Sequence, residues 1–338
     1  MIGNTNVNER NTAYRTGELE VHTVDPHVYS PSDYGLDYFD RVNVTSESTN
    51  PIIEMCNGHS FDFTPETVGE GRITDVLDYL FYRNSMLRNV IITSSFTRIG
   101  TYAFGMAGMR TLYVDGRNIT SLGQSAFTGN KQLTTAYCNL PRQSDTLSLF
   151  QNSTNLTQME LSGIVKMGEY FLFGAPKLPY LEIPSTTAQI NDYAFDLNRT
   201  DMSVEVDFHM VFLRHAEPNG SGGYEVAPTT LRPYMISNRT VAKLNMHVPL
   251  DSLLAYRVQV ITAPASGLRQ YMDRVFAYRD CAVGDTLPTS LTQTASGYEG
   301  TYTLTWYKDY AHTVRASATV SEAGRYYATL SNVSETAI

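Results

Sequence analysis

Residues 98–114 read RIGTYAFGMAGMRTLYV, and the same frame returns as SLGQSAFTGNKQLTTAYC at 121–138, KMGEYFLFGAPKLPYLEIP at 166–184 and QINDYAFDLNRTDMSVEV at 189–206. The shared pattern is Ile-Gly-x-x-Ala-Phe followed by an apolar triplet. Its phenylalanine falls at Phe81, Phe104, Phe127, Phe150, Phe173 and Phe195, spaced by 23, 23, 23, 23 and 22 residues. Periods of this length mark leucine-rich repeats. One such unit cannot bury its own apolar face, so successive units must stack into a solenoid with a continuous core. The six phenylalanines are the expected core ladder.

Five to seven residues after each Phe comes a short strand, with core candidates Leu87/Val90/Ile92, Met109/Leu112/Val114, Leu133/Ala136/Cys138, Leu156/Met159/Leu161, Leu178/Leu181/Ile183 and Val204/Val206. The last two of each set alternate with period two, as a strand with one buried face requires. The segment between Phe and strand reads as a short helix or turn. Parallel stacking of the strands gives one sheet. The residue between each inward pair then points outward, in a column Ile91, Tyr113, Tyr137, Glu160, Glu182, Glu205 and Asn245. With strands about 4.8 Å apart, a carboxylate ladder would continue an aromatic one. Such a ladder is either a solvated face that tolerates the repulsion or a site for a cationic or sugar-bearing partner. Tyr113, Tyr137, Glu160, Glu182 and Glu205 are therefore the candidate binding residues on the concave face.

Outside the repeats the texture changes. Residues 1–50 are polar, with Pro26, Pro31 and Gly35 punctuating Val/Tyr/Phe alternation, and read as a β-rich docking arm. Residues 51–72 read as the cap of the first repeat, 208–232 as an insertion with a Gly/Pro/Ser-rich tip, and 249–278 as a helical cap starting at Asp251 or Ser252. Ile236, Leu244 and Met246 resume the repeat after the insertion. Residues 281–338, rich in Thr, Tyr and Val alternation, read as a small all-β domain of Ig-like character. The whole 51–280 stretch is one solenoid on this reading.

Composition limits function. Of 338 residues 42% are hydrophobic and only 17% charged, with net charge −9 and no Lys/Arg cluster, so the chain is folded and nucleic acid is not an expected partner. No apolar run approaches a membrane span, and MIGNTNVNERNTAYRTGE at 1–18 shows no apolar leader region, so membrane insertion is not expected. Cys56, Cys138 and Cys281 are far apart and odd in number, which argues against a disulfide framework. Cys56-x-x-His59 lacks a second ligand pair, His209 and His215 read as loop histidines, and the pairs Asp37/Asp40 and Asp75/Asp78 read as solvated turns. GxSxG, HExxH, P-loop and GxGxxG motifs are all absent from the sequence. No catalytic residue, metal or cofactor is expected.

The frame resembles the BspA-type, or treponemal, leucine-rich repeats, above all at Ile99-Gly100-Thr101-Tyr102-Ala103-Phe104 and at Leu181-Glu182-Ile183-Pro184 with Ile190-Asn191-Asp192-Tyr193-Ala194-Phe195. The terminal Val248-Pro249, Ala255-Tyr256 and Tyr271-Met272-Asp273-Arg274 are similar to that family's cap. The resemblance implies adhesion and partner binding rather than catalysis. The stretch YSPSDYGLDYFDRVNV at 29–44 is similar to a short module of phage tail and other virion proteins. Together these imply a virion component of a phage, in tail or head fibre, docked to other virion proteins by residues 1–50 and presenting a surface to a host protein or glycan. A bacterial cell-surface adhesin, with a leader upstream, and a glycan-active enzyme are the rival readings. Self-association stays open.

Overall fold

The computed structural model describes residues 60–62, 75–84, 87–92, 94, 96–141, 146–197, 207–219, 223–236 and 243–338. The docking arm expected at 1–50, most of the cap expected at 51–72, Cys56, His59, Asp37, Asp40, Val204, Glu205 and Val206 lie outside the described residues. The chain divides into two compact units, one of residues 1–178 with 193–204, the other of 179–192 with 205–338.

In the first unit five strands form one parallel sheet in chain order: β1 (Ser60–Asp62), β2 (Asn89–Ile92), β3 (Thr111–Asp115), β4 (Thr135–Asn139) and β5 (Gln158–Ser162). The register aligns Val90, Leu112, Ala136 and Met159, and two residues on Ile92, Val114, Cys138 and Leu161. These are the inward pairs that the alternation predicts. In β3 Leu112 and Val114 are buried while Thr111 and Tyr113 are exposed. Across the core, two-residue strands Asp75–Val76, Arg98–Ile99 and Ser121–Leu122 make a second parallel sheet. Gly100 follows the middle one, and a Cβ there would strike the backbone of Asp78 in the preceding coil. The Ile-Gly of the frame is thus a close-approach requirement.

The segment between these strands and the core side chains is a turn rather than a helix, and it alternates conformation. Tyr79, Tyr102, Ser125, Ser148, Tyr170 and Tyr193 all have left-handed φ, between 52° and 60°. That conformation is costly for a side chain with Cβ. What offsets it is a ladder in which alternate amides donate to the next coil: Tyr102 N to Gln124 O at 3.1 Å, Phe104 N to Ala126 O at 2.8 Å, and Met106 N to Thr128 O at 2.7 Å.

The ladder corrects the phenylalanine register. Phe127 donates to Leu149 O, Phe150 to Phe171 O and Leu172 to Ala194 O, so the Phe slot reads Phe81, Phe104, Phe127, Phe150, Leu172 and Phe195. Phe173 is one position out of phase and only half-buried. Its expected place in the core is taken by Phe171, which occupies the Ala slot and is fully buried. Phe81, Phe104, Phe127 and Phe150 stack with centroids 5.2, 5.7 and 5.5 Å apart. Phe171 then meets Phe150 edge-on at 5.6 Å and Phe195 at 6.4 Å. An Ala-Phe pair has been exchanged for Phe-Leu, which moves the ring by one position and leaves both side chains fully buried.

In the second unit seven strands form one sheet, in the order β6 (Tyr180–Ile183), β7 (Asp207–Phe212), β8 (Lys243–Pro249), β9 (Val275–Cys281), β12 (Gly324–Ala337), β11 (Tyr298–Tyr307) and β10 (Ser290–Ala295). The first four are parallel, with Leu181 opposite Met210 and Met210 opposite Met246. The strand expected at Val204/Val206 is thus replaced in the register by β7, and the insertion expected at 208–232 loses its first residues to the sheet. Phe208, His209, Met210, Val211 and Phe212 are all buried, so this longer run with two buried faces wins over the shorter alternation before it. Among the described residues, 213–219 and 223–229 leave the sheet, including a small hairpin of Glu217–Pro218 with Tyr224–Val226.

After Pro249 a single 3-10 turn leads into helix α1 (Leu253–Thr262), which buries Leu253, Leu254, Tyr256, Val258 and Val260. Residues 281–338 do not form an Ig-like pair of sheets. β9 pairs in parallel with β8 on one side and antiparallel with β12 on the other, so β10 to β12 extend the existing sheet. Alternation identified the strands; it carries no information on which edge they join. Arg257 of α1 and Glu335 of β12, with side chains 3% and 4% exposed, form a buried ion pair.

Phe127→Ala and Phe171→Ala are each expected to lower the unfolding free energy by about 3–5 kcal/mol in urea denaturation, as removal of a buried ring does. Phe173→Ala should cost roughly half that or less, because part of its surface is already in water. Equal losses at 171 and 173 would contradict the exchange of slots.

Candidate binding face

The outward side of β2 to β5 carries three rows. The central one is Ile91, Tyr113, Tyr137 and Glu160, brought together in register as the outward column predicts. Tyr113 is 49% exposed, and Glu160 is also exposed. Beside them run Asn89, Thr111, Thr135 and Gln158. Thr111 Oγ1 donates to Asn89 Oδ1 at 2.7 Å, and Gln158 Nε2 donates to Tyr137 Oη at 2.9 Å. At the other end of β3, Arg117 donates to Asp115 at 2.9 Å and holds that carboxyl below its usual range. The face therefore offers two phenol rings, a row of amides and hydroxyls, and a free-standing carboxylate at Glu160. That is equipment for stacking and hydrogen bonding.

The carboxylate ladder does not continue from there. Glu182 belongs to β6 in the second unit, where its partner in register is the buried Val211 and not Glu205. Its carboxylate is engaged, accepting from Tyr180 Oη at 2.9 Å and pairing with Arg325 at 2.7 Å. Arg325 also pairs with Asp280 at 2.8 Å and lies 4.6 Å from the centroid of the Tyr278 ring. Asn245 is buried and accepts a hydrogen bond from Arg274 at 2.9 Å. The relocation of β7 is the cause: once the strand moves by several residues, every outward residue that followed from the old register changes.

Other side chains singled out by the sequence have structural duties. Asp78 pairs with Arg98 at 2.6 Å and accepts from Thr101 N at 2.9 Å, fastening adjacent coils. Cys138 and Cys281 are buried free thiols, and burial pushes both upward in pKa. His215 is exposed and bonds Asp251 at 2.8 Å. These two, with Leu250, Tyr278, Arg279 and Asp280, line a pocket of about 380 Å³, but Asp251 also accepts from Ser252 and Asp280 is paired to Arg325. Among the described residues no group of three His, Cys, Asp or Glu side chains could hold a metal ion.

His209 is a correction. It lies on β7, buried, and its ring stacks on that of His247 with centroids 5.2 Å apart. The alternation of β8 places His247 outward beside Asn245, and this was the available signal; without the true register of β7 it had no partner.

Residues 74–201 match the BspA type leucine rich repeat region in six copies, and these repeats are BspA-type leucine-rich repeats. The chain is similar to a leucine-rich repeat protein from Eubacterium ventriosum at 20% identity, over 45% of this chain and 43% of that one, with a TM-score of 0.31. It is also similar to a leucine rich cell surface protein from Faecalibacterium prausnitzii at 18% identity, over 43% and 52% of the two chains, with a TM-score of 0.21. A leucine-rich repeat protein from Bacteroides ovatus shows 12% identity over 73% of each chain and a TM-score of 0.20. The chain spans about half or less of the first two. No curated protein matches the sequence, and no catalytic family is indicated.

Glu160→Gln is expected to leave the unfolding free energy within about 0.5 kcal/mol of the parent, since its carboxylate is exposed on the open face. Glu182→Gln should lose about 0.5–1 kcal/mol through its partly exposed ion pair, and added salt should shrink that difference. Equal effects of the two would argue that the carboxylates share one environment.

Proposed function

We propose that this is a non-enzymatic binding protein that holds a protein or glycan partner on the outward face of β2 to β5, with Tyr113, Tyr137 and Glu160 at its centre and Thr111, Thr135 and Gln158 around them. The observation that carries the reading is the exposed Tyr113 ring in register with Tyr137 and Glu160. The fold needs only the inward residues of each strand, so the outward row is free to serve a ligand. Tyrosine supplies flat contact area with a polar tip, which suits a sugar ring or a protein loop. Glu182 is drawn instead into the ion pair with Arg325.

Proteins with BspA-type repeats are often on cell surfaces. Two settings follow from the sequence, a virion component docked through residues 1–50 and a bacterial cell-surface adhesin, and the same face serves either. No helix among the described residues is long and apolar enough to cross a membrane.

Binding of the labelled protein to intact bacterial cells and to a glycan array tests the reading. Tyr113→Ala with Tyr137→Ala is expected to weaken binding by tenfold or more while leaving the melting temperature unchanged. Binding that survives this double substitution would move the site off the repeat face. Immunogold labelling of phage particles against labelling of bacterial cells decides the setting.

A further inference from the structure

The outward face of the second sheet is covered, and the way it is covered suggests a function. Between β11 and β12 the chain makes a turn organised by one carboxylate: Asp309 accepts from Thr313 N and Val314 N, at 3.1 and 2.7 Å, and from Thr313 Oγ1 at 2.7 Å. Burial works to raise the Asp309 carboxyl, but these donors hold it below its usual value. Lys308 N donates to Val314 O and Ala316 N to Trp306 O, both at 2.8 Å, closing the turn on its own strand. It is a self-contained piece.

From this turn Tyr310 and His312 reach the sheet. Tyr310 lies edge-on to His209 at 4.8 Å and tilted on Tyr180 at 4.9 Å. His312, held at a left-handed φ of 57°, packs on Phe276 at 4.6 Å and on His247 at 5.4 Å. Underneath, His209 Nδ1 and His247 Nε2 are 2.9 Å apart in a hydrogen bond. Beside this pair Val211, Tyr278 and Tyr327 form an apolar cluster against which Tyr310 packs.

Three imidazoles are an odd choice for covering an apolar face, because hydrophobic rings would do it at no risk of charge. Moreover, His247 Nδ1 and His312 Nε2 are buried without a hydrogen-bond partner. A proton arriving at either would place a cation in a site with no acceptor for it. All three lie below the ordinary histidine value, burial being the first cause each time: His209 moderately, His247 well below, and His312 at about 4. The facing charges do not cancel this. Asp207, 3.7 Å from His209, and Asp309 near His312 favour protonation; Arg274 opposes it at His209, His209 and His312 oppose it at His247, and His209 opposes it at His312. Tyr180 and Tyr327, phenols that burial pushes upward, stay neutral in this range, and the Tyr307 ring packs on His312.

We propose that residues 308–316 are a proton-operated latch, closed on the His209–His247 pair while the three imidazoles are neutral and released when they take up protons, uncovering the face of Val211, Tyr278 and Tyr327. The sign follows from linkage. The closed state holds these histidines below the value of about 6.5 they have in water, so closure is complete above that pH and weakens as pH falls through it. The part due to His312 levels off near pH 4, where that side chain takes a proton even when closed.

Nuclear Overhauser contacts between Tyr310 and His209 and between His312 and Phe276 read the latch directly in the full chain. Between pH 7.5 and 5.0 these contacts are expected to be lost, while the amides of α1 and β2 to β5 keep their protection from hydrogen exchange. His312→Phe, which fills the space with a ring that cannot titrate, should shift the change to lower pH and reduce its size. Should this variant fail to fold, side-chain NMR of the native protein keeps the test open, because His209, His247 and His312 must titrate below the value of about 6.5 of a histidine in water. Ring contacts of Tyr310 and His312 with the sheet that are independent of pH would overturn the proposal. So would a matching loss of amide protection in α1, which would be global unfolding, or titration of the three histidines at the ordinary value of about 6.5.

Discussion

Everything in the first unit depends on one constraint: a coil of about 23 residues shares its core and its turn hydrogen bonds with the next coil. The left-handed residues make this visible. Each of Tyr79, Tyr102, Ser125, Ser148, Tyr170 and Tyr193 sits in a conformation that an isolated peptide avoids. It is retained because it lets alternate amides of the turn point along the stack, where Phe104 N meets Ala126 O and Phe150 N meets Phe171 O. The phenylalanine rings stack along the same axis at 5.2 to 5.7 Å. Hydrogen bonding and burial therefore reward the same repeat length, and a coil that drifted from it would lose both at once.

The same constraint makes the end of a stack a problem, since a parallel strand leaves an unpaired edge. In the second unit β9 solves it by changing partner orientation. Its one side continues the parallel series from β8, and its other side accepts β12 in antiparallel pairing, after which short connections suffice and β11 and β10 follow. Arg257 and Glu335 tie the helix to this extension: the guanidinium donates to the carboxylate and to the carbonyls of Met272 and Val275, so neither charge is buried alone. A cap and a sheet extension are here one packed body.

How much of this the sequence discloses depends on whether a residue type is forced or merely permitted. Gly100 is forced by a close approach and the inward pairs Leu112/Val114 and Ala136/Cys138 by alternation, so the repeat, its register in β2 to β5 and the row Tyr113, Tyr137, Glu160 are all legible. Phe173 misleads because Phe171 and Phe173 flank the true slot at Leu172, and both keep nearly the same interval to Phe150. The strand expected at Val204/Val206 is misplaced because alternation alone cannot rank it against Phe208 to Phe212, whose outward face is covered by Tyr310 from a turn distant in sequence. The histidine cluster was illegible for a stronger reason: His209, His247 and His312 are distant in sequence, and only the pairing of β7 with β8 and the return of β11 bring them together.

The outward residues of the two sheets show what the repeat leaves undecided. Folding fixes the inward positions, and the outward row may take any character that does not break the strand. In the first sheet that row stays in water, polar and aromatic, with Glu160 unpaired by any neighbouring charge among the described residues. In the second it has become interior: Val211 is fully buried, Tyr278 carries the guanidinium of Arg325, and Glu182 has been drawn into that same pair. Covering a sheet face usually calls for apolar side chains. Covering it with Tyr310 and His312, over two more histidines, leaves the closure dependent on protons, and so makes the covered face, unlike the open one, conditional on its surroundings.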